Sequence, residues 1–253
     1  MPVATRTVFY QARRNPPMKI STILAGLIRS LPLAMLYAMP AWAAQGPALS
    51  GRDIAVSGMQ QGTASCAACH GADGSGNLEM GIPRLSGLPQ DYLARQLAYF
   101  ADGERQSIVM APYAKALTTQ QQLEVSRYFA ALPAGAPDTP AHATQAQIDH
   151  GRNLYENGLP RLGVPACVLC HGAAGRGIAA FSPPLAGQSA AYASTQLYRW
   201  RAGQARGPAG KFMVTVSQHL SDADIDAVSV YLAGLPAASG TQTSSNPTNG
   251  DGK

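Results

Sequence analysis

The sequence predicts an all-α fold of two tandem domains related by internal duplication, and three observations carry that prediction. The pentapeptide Cys66-Ala67-Ala68-Cys69-His70 recurs as Cys167-Val168-Leu169-Cys170-His171, and the two copies use all four cysteines of the chain. Matched residues surround both copies in the same order, at an offset that moves only from 100 to 103. Apolar residues between them fall at helical spacing, and no segment alternates convincingly as a half-buried strand does. A chain of 253 residues then divides naturally into two domains of roughly 100 residues, each around its own core.

In chain order, residues 1–43 come first and belong to neither core. Arg13, Arg14 and Lys19 precede an apolar run, Ile20 to Met39, that ends in Ala41-Trp42-Ala43. This is the basic, apolar, small-x-small order of a secretory signal, with cleavage after Ala43. A retained membrane anchor is the competing reading, but Arg29, Pro32 and Pro40 interrupt the run. Whole-chain charge is 19 Lys+Arg against 14 Asp+Glu, and residues 1–43 hold five of the basic groups and none of the acidic ones. Removing them leaves 14 of each, so the basic pI says nothing in favour of a nucleic-acid partner.

The N-terminal domain, residues 44–135, opens with a helix expected over about 50–62. It continues into the Cys66–His70 pentapeptide, and Cys-x-x-Cys-His is the attachment signal for c-type haem. Both sulfurs add to the porphyrin vinyl groups, while the adjacent histidine binds iron. A single copy is compatible with a redox Cys-x-x-Cys; two copies, each with its histidine and a following glycine (Gly71, Gly172), point to two covalently bound haem c groups. An oxidising compartment favours disulfides, but here every sulfur is committed to haem.

A glycine-rich loop follows in each copy, Gly71-x-x-Gly74-x-Gly76 and Gly172-x-x-Gly175-x-Gly177, suited to tight turns against a flat ligand. It is not a phosphate loop, since no strand precedes it and no lysine closes it. Middle helices are expected over 90–102 and 190–202, stopped by Gly103 and Gly203. The last helix of the first domain starts at Thr118, where Thr118-x-x-Gln121 fits a capping box, and its counterpart starts at Ser221. Val125, Phe129 and Leu132 share one stripe, as do Val228, Leu232 and Leu235, and Leu-Pro closes both helices. Residues 136–148 read as a linker, 149–236 as the C-terminal domain with an opening helix over about 147–157, and 237–253 as a disordered tail poor in apolar side chains.

His70 and His171 supply one axial ligand to each iron, and the opposite ligand separates an electron carrier from a catalyst. Met213 is the only methionine after Met110, and each lies seven residues before a matched leucine, Leu117 or Leu220. That register favours Met110 and Met213 as the second ligands. Met59 and Met80 read as packing residues, His142 and His150 as solvated side chains, and His219 stays open as a rival to Met213.

Two Cys-x-x-Cys-His units, each followed by Pro-x-Leu-x-Gly (Pro83, Pro183), a Tyr-x-x-x-Gln-Leu helix (Tyr92, Tyr192), a methionine and a Leu-Ser/Thr helix start, resemble the dihaem class I cytochromes of the cytochrome c4 family over residues 50–236. The resemblance implies periplasmic electron transfer toward a terminal oxidase, facing haem edges, and His/Met ligation by His70, Met110, His171 and Met213. The two methionine loops differ, Met110-Ala-Pro against Met213-Val-Thr. The expected function is a non-enzymatic periplasmic electron shuttle between respiratory-chain or dehydrogenase donors and an oxidase. Its expected partners are redox proteins: a membrane oxidase, a cytochrome bc complex or a dehydrogenase, with peripheral membrane association left open. The alternatives are a cytochrome subunit of a dehydrogenase complex and a dihaem peroxidase or thiosulfate-oxidising enzyme.

Overall fold

In the computed structural model the described residues are 49–59, 64–137, 139–179 and 181–237. All of them belong to one compact unit, Gly46–Lys253. The expected export signal and the tail beyond Ala237 lie outside the described residues.

Ten α-helices are described, five per repeat and in the same order. The first repeat holds α1 (Gly51–Ser57), α2 (Ala67–His70), α3 (Gln90–Asp102), α4 (Met110–Ala116) and α5 (Thr119–Ala131). The second holds α6 (Gln145–Asn157), α7 (Val168–His171), α8 (Ala190–Arg201), α9 (Gly207–Ser217) and α10 (Asp222–Ala233). Among the described residues extended pairing is confined to isolated bridges, of which Asn77–Ile82 and Ile178–Ser182 are counterparts. The fold is all-α.

Two boundaries and two whole helices differ from the sequence reading. The first opening helix stops at Ser57 instead of reaching 62, because Gly58 takes φ +77° and leaves helical geometry. Thr144 caps α6 with Gln147 in a capping box, so the second opening helix starts within the segment read as linker. The helices that carry Met110 and Met213 were not anticipated; α4 is only 7 residues long, with Pro112 in its first turn. Both proposed starts of the last helices are capping boxes, Thr118 with Gln121 and Ser221 with Asp224.

Each repeat is closed by its first helix crossing its last, α1 on α5 and α6 on α10. The repeated glycines of the two opening helices make these crossings close. A Cβ added at Gly51 would stand 2.0 Å from the Glu124 carbonyl oxygen, and one at Gly151 would stand 2.1 Å from that of Ala227. Behind the crossings lie two apolar cores. Ile54, Leu88, Leu93, Val125 and Phe129 form the first, and Leu154, Tyr155, Val164, Leu197, Ile225, Val228 and Leu232 form the second.

Candidate functional site

Each Cys-x-x-Cys-His pentapeptide is a single helical turn. Cys66 and Cys167 sit at the N-caps of α2 and α7, and His70 and His171 are the last residues of these helices. The turn places both sulfurs and the histidine of each motif within one short rigid element. None of the four cysteines is paired in a disulfide. Burial raises the Cys66 pKa and pushes the Cys167 thiol up to about 11. Cys66 and Cys167 pack against the edges of the two cores, where a neutral thioether is at no disadvantage.

The histidines are fixed by backbone oxygens. His70 Nδ1 lies 3.0 Å from the Pro83 carbonyl oxygen, and His171 Nδ1 lies 3.2 Å from that of Pro183. A carbonyl can only accept, so each Nδ1 carries the proton and donates it, leaving Nε2 unprotonated for iron. Burial lowers both histidine pKa values, more than these bonds raise them, and thereby favours the neutral imidazole that a metal needs. Pro83 and Pro183 were visible in the sequence as repeated residues, but their role rests on backbone carbonyls and leaves no residue-type signature.

Both candidate methionines are half-buried on helices that pack against the middle helix of their own repeat, α4 on α3 and α9 on α8. Met110 is the first residue of α4, and its backbone N–H donates to Ser107 Oγ over 3.0 Å. Met213 lies within α9 and packs, together with Cys167, against the second core. Of the rivals, Met80 is 73 % exposed. His219 is exposed in the turn that follows α9, with Nδ1 2.9 Å from the carbonyl oxygen of Thr215, in the last turn of that helix. His142 and His150 are also exposed, the latter 2.8 Å from Asp224.

Two further features suit a haem at each site. Apolar side chains next to the candidate ligands face solvent in the polypeptide: Ile108 is 96 % exposed beside Met110, Leu169 is 68 % exposed between two cysteines, and Phe212 is exposed beside Met213. A porphyrin is a large apolar plate of the kind that covers such residues. A haem also carries two carboxylates, and the boundary between the repeats gathers arginines whose hydrogen bonds go to neutral groups. Arg105 donates to Gln96 (2.8 Å), Tyr192 (2.8 Å) and Gln196 (3.2 Å), while Arg206 donates to the same Gln196 over 3.0 Å. Burial alone would raise the Tyr192 pKa, but Arg105 and Arg206 reverse this and bring it to about 8. Sequence reading missed this cluster, although Tyr92, Tyr192, Gln96 and Gln196 had been matched as repeats.

Comparison with known proteins agrees with this chemistry. The family model for cytochrome c matches residues 55–132 and 148–236. A protein named thiosulfate dehydrogenase electron acceptor from Thiomonas intermedia is 41 % identical over 206 residues, covering 80 % of this chain and 87 % of that one. A solved structure of a thiosulfate dehydrogenase from Marichromatium purpuratum, in its as-isolated form, aligns with a TM-score of 0.67 at 39 % identity. That match covers 74 % of this chain, which spans 40 % of the larger protein. Reduced cytochrome c4 from Pseudomonas stutzeri aligns with a TM-score of 0.62 at 31 % identity, over 73 % of this chain and 96 % of that one.

Proposed function

The chain belongs to the cytochrome c family, as a dihaem electron-transfer protein of the cytochrome c4 type, and we propose that it takes electrons from a thiosulfate-oxidising dehydrogenase and passes them to a further redox protein. The observation that carries this reading is the 41 % identity to a thiosulfate dehydrogenase electron acceptor across most of both chains.

Bound haem c supplies reversible one-electron exchange at iron. The chain's residues make that exchange fast and repeatable. Cys66 with Cys69, and Cys167 with Cys170, anchor the groups covalently. His70 and His171 hold each iron through Nε2, oriented by the Pro83 and Pro183 carbonyls. Met110 and Met213 would supply the second ligand to each iron; a soft, neutral thioether favours the ferrous state and raises the potential. With a histidine and a methionine from the chain holding each iron, the bound haem would exchange electrons without ligand exchange and would leave no position for a substrate. The chain therefore acts as a carrier and not as a catalyst. Its working compartment is the periplasm, reached through the segment ending at Ala43. No helix among the described residues is long and apolar enough to cross a membrane.

Rapid mixing of the oxidised holoprotein with a thiosulfate dehydrogenase and thiosulfate tests the donor. The expected result is reduction of both haems at catalytic enzyme concentrations. Failure of the enzyme to reduce a protein that dithionite reduces fully would remove thiosulfate oxidation from the account. Co-elution of the two proteins on gel filtration at working concentrations would mark a complex subunit, and separate elution a free shuttle.

A further inference from the structure

The segments that flank the two haem motifs carry opposite charge. Residues 158–183 hold Arg161 and Arg176 and no acid, whereas the matching residues 58–83 hold Asp73 and Glu79 and no base. Acid is missing from the second repeat even where the backbone would accept it. Ala174, which matches Asp73, sits at φ +52° and ψ +31°, a left-handed conformation that aspartate enters more readily than alanine. The acid-free run extends well beyond these loops: between Glu156 and Asp222 there are six basic side chains and no acidic one.

Both loops of the second repeat lie against α7. The first turns back through the Leu159–Val164 bridge and runs directly into Cys167. The second turns through the Ile178–Ser182 bridge, and Ser182 Oγ donates to the Cys170 carbonyl. Apolar and basic side chains face solvent together on them. Leu162 is 53 % exposed beside Arg161, and Ile178 and Phe181, 42 % and 66 % exposed, follow Arg176. Both arginines are exposed, and neither is engaged by a salt bridge among the described residues. The first repeat uses its equivalent turn differently. Ser189 Oγ donates to the Leu78 carbonyl over 3.1 Å, and the buried Arg84 just after the turn donates to the carbonyls of Gly187 and Ala186. That turn is committed to the boundary between the repeats. Among the described residues, the hydrogen bonds of Ile178–Ser182 stay within the second repeat.

We propose that this face of the second repeat, built from Arg161, Leu162, Arg176, Ile178 and Phe181, docks an acidic surface of a redox protein. Apolar side chains at the centre of a contact exclude water, and cations around them select an acidic rim on the partner and turn away a basic one. The face borders Cys167 and Cys170, so a partner seated on it lies beside the sulfurs that anchor the second haem. The inference rests on the chain being an electron carrier and is independent of thiosulfate as the source of electrons.

Stopped-flow reduction of the oxidised holoprotein by photoreduced flavodoxin, a small acidic flavoprotein, tests this, with haem content checked for every variant. The rate constant of the unaltered protein is expected to fall about tenfold between about 10 and 200 mM salt, as the reach of the charges shortens. Arg161→Glu combined with Arg176→Glu is expected to lower the low-salt constant about tenfold and to flatten the salt dependence. Arg161→Gln combined with Arg176→Gln reads the same loss, at about threefold, if the reversed variant does not take up both haems. Phe181→Ser is expected to lower the constant alike at both salt concentrations, because an apolar contact is not screened. Arg52→Glu combined with Arg127→Glu makes the same change in net charge on exposed helix positions of the first repeat, and is expected to stay within about twofold of the original. Unaltered rates in both the reversed and the neutral Arg161 and Arg176 variants would overturn the proposal. So would an equal loss in the Arg52 and Arg127 variant, since net charge and not this face would then govern the encounter.

Discussion

Two hydrogen bonds, His70 to Pro83 and His171 to Pro183, decide which nitrogen faces iron, and two half-buried methionines complete the proposed ligand sets. Replacement of Met213 by alanine is expected to remove the near-infrared band of methionine-bound ferric haem from one haem of two. It should also let carbon monoxide bind that haem and lower its potential by a sizeable part of the roughly 0.8 V that axial ligands span. An unaltered spectrum and potential would assign the position to another group, with His219 the first to examine. At this scale the sequence was most informative where chemistry demands a residue type: the four cysteines and the two histidines stand together as motifs, and register singles out the two methionines proposed as their partners. It was silent where backbone or burial does the work. Any residue can offer a carbonyl, so Pro83 and Pro183 carried no ligand-orienting signal, and Arg84 reads as an ordinary surface arginine until its burial is known.

The helices divide along similar lines. The middle helix α3 ends before Gly103 as expected, and the last helices begin where expected, at the capping box of Thr118 and at Ser221, because glycine stops and Thr/Ser caps are local chemistry. The methionine-bearing α4 and α9 were not legible, since α4 is short and contains proline and α9 opens with Gly207-Pro208. The repeated Gly51 and Gly151 were seen as register marks, but only the crossings give them a reason. Gly151→Ala would bring a Cβ to within 2.1 Å of the Ala227 oxygen, so the helices must part. About 1–3 kcal/mol of stability should be lost, measurable as a lower midpoint in denaturant with both haems attached; an unchanged midpoint would contradict the close crossing. Acid should also act through α10. Burial opposes the Asp224 carboxylate, but bonds from Ser221 and His150 outweigh it and hold its pKa below the usual range. A depressed carboxylate stabilises the folded state above its ordinary pKa and loses that contribution as pH falls through the folded value. Stability should therefore decline below about pH 4, and Asp224→Asn should weaken that decline in acid-titration unfolding curves.

Across the whole molecule, duplication supplies two cytochrome c domains, and the copies differ where they meet. Arg105, from the first repeat, reaches Tyr192 and Gln196 of the second, and Ser189 donates to the Leu78 carbonyl over 3.1 Å. With Arg84 these contacts join the repeats through polar groups. The duplication itself was plain from the sequence. The boundary was not, because contacts between residues about a hundred positions apart follow from docking and not from local pattern. Everything proposed for electron passage requires irons held from both sides by the chain. Exposing the fully reduced holoprotein to carbon monoxide at neutral pH and following the Soret band tests this most directly. The expected result is little change over minutes, with both haems still six-coordinate; prompt binding of one or two equivalents would show an open iron and contradict the carrier assignment.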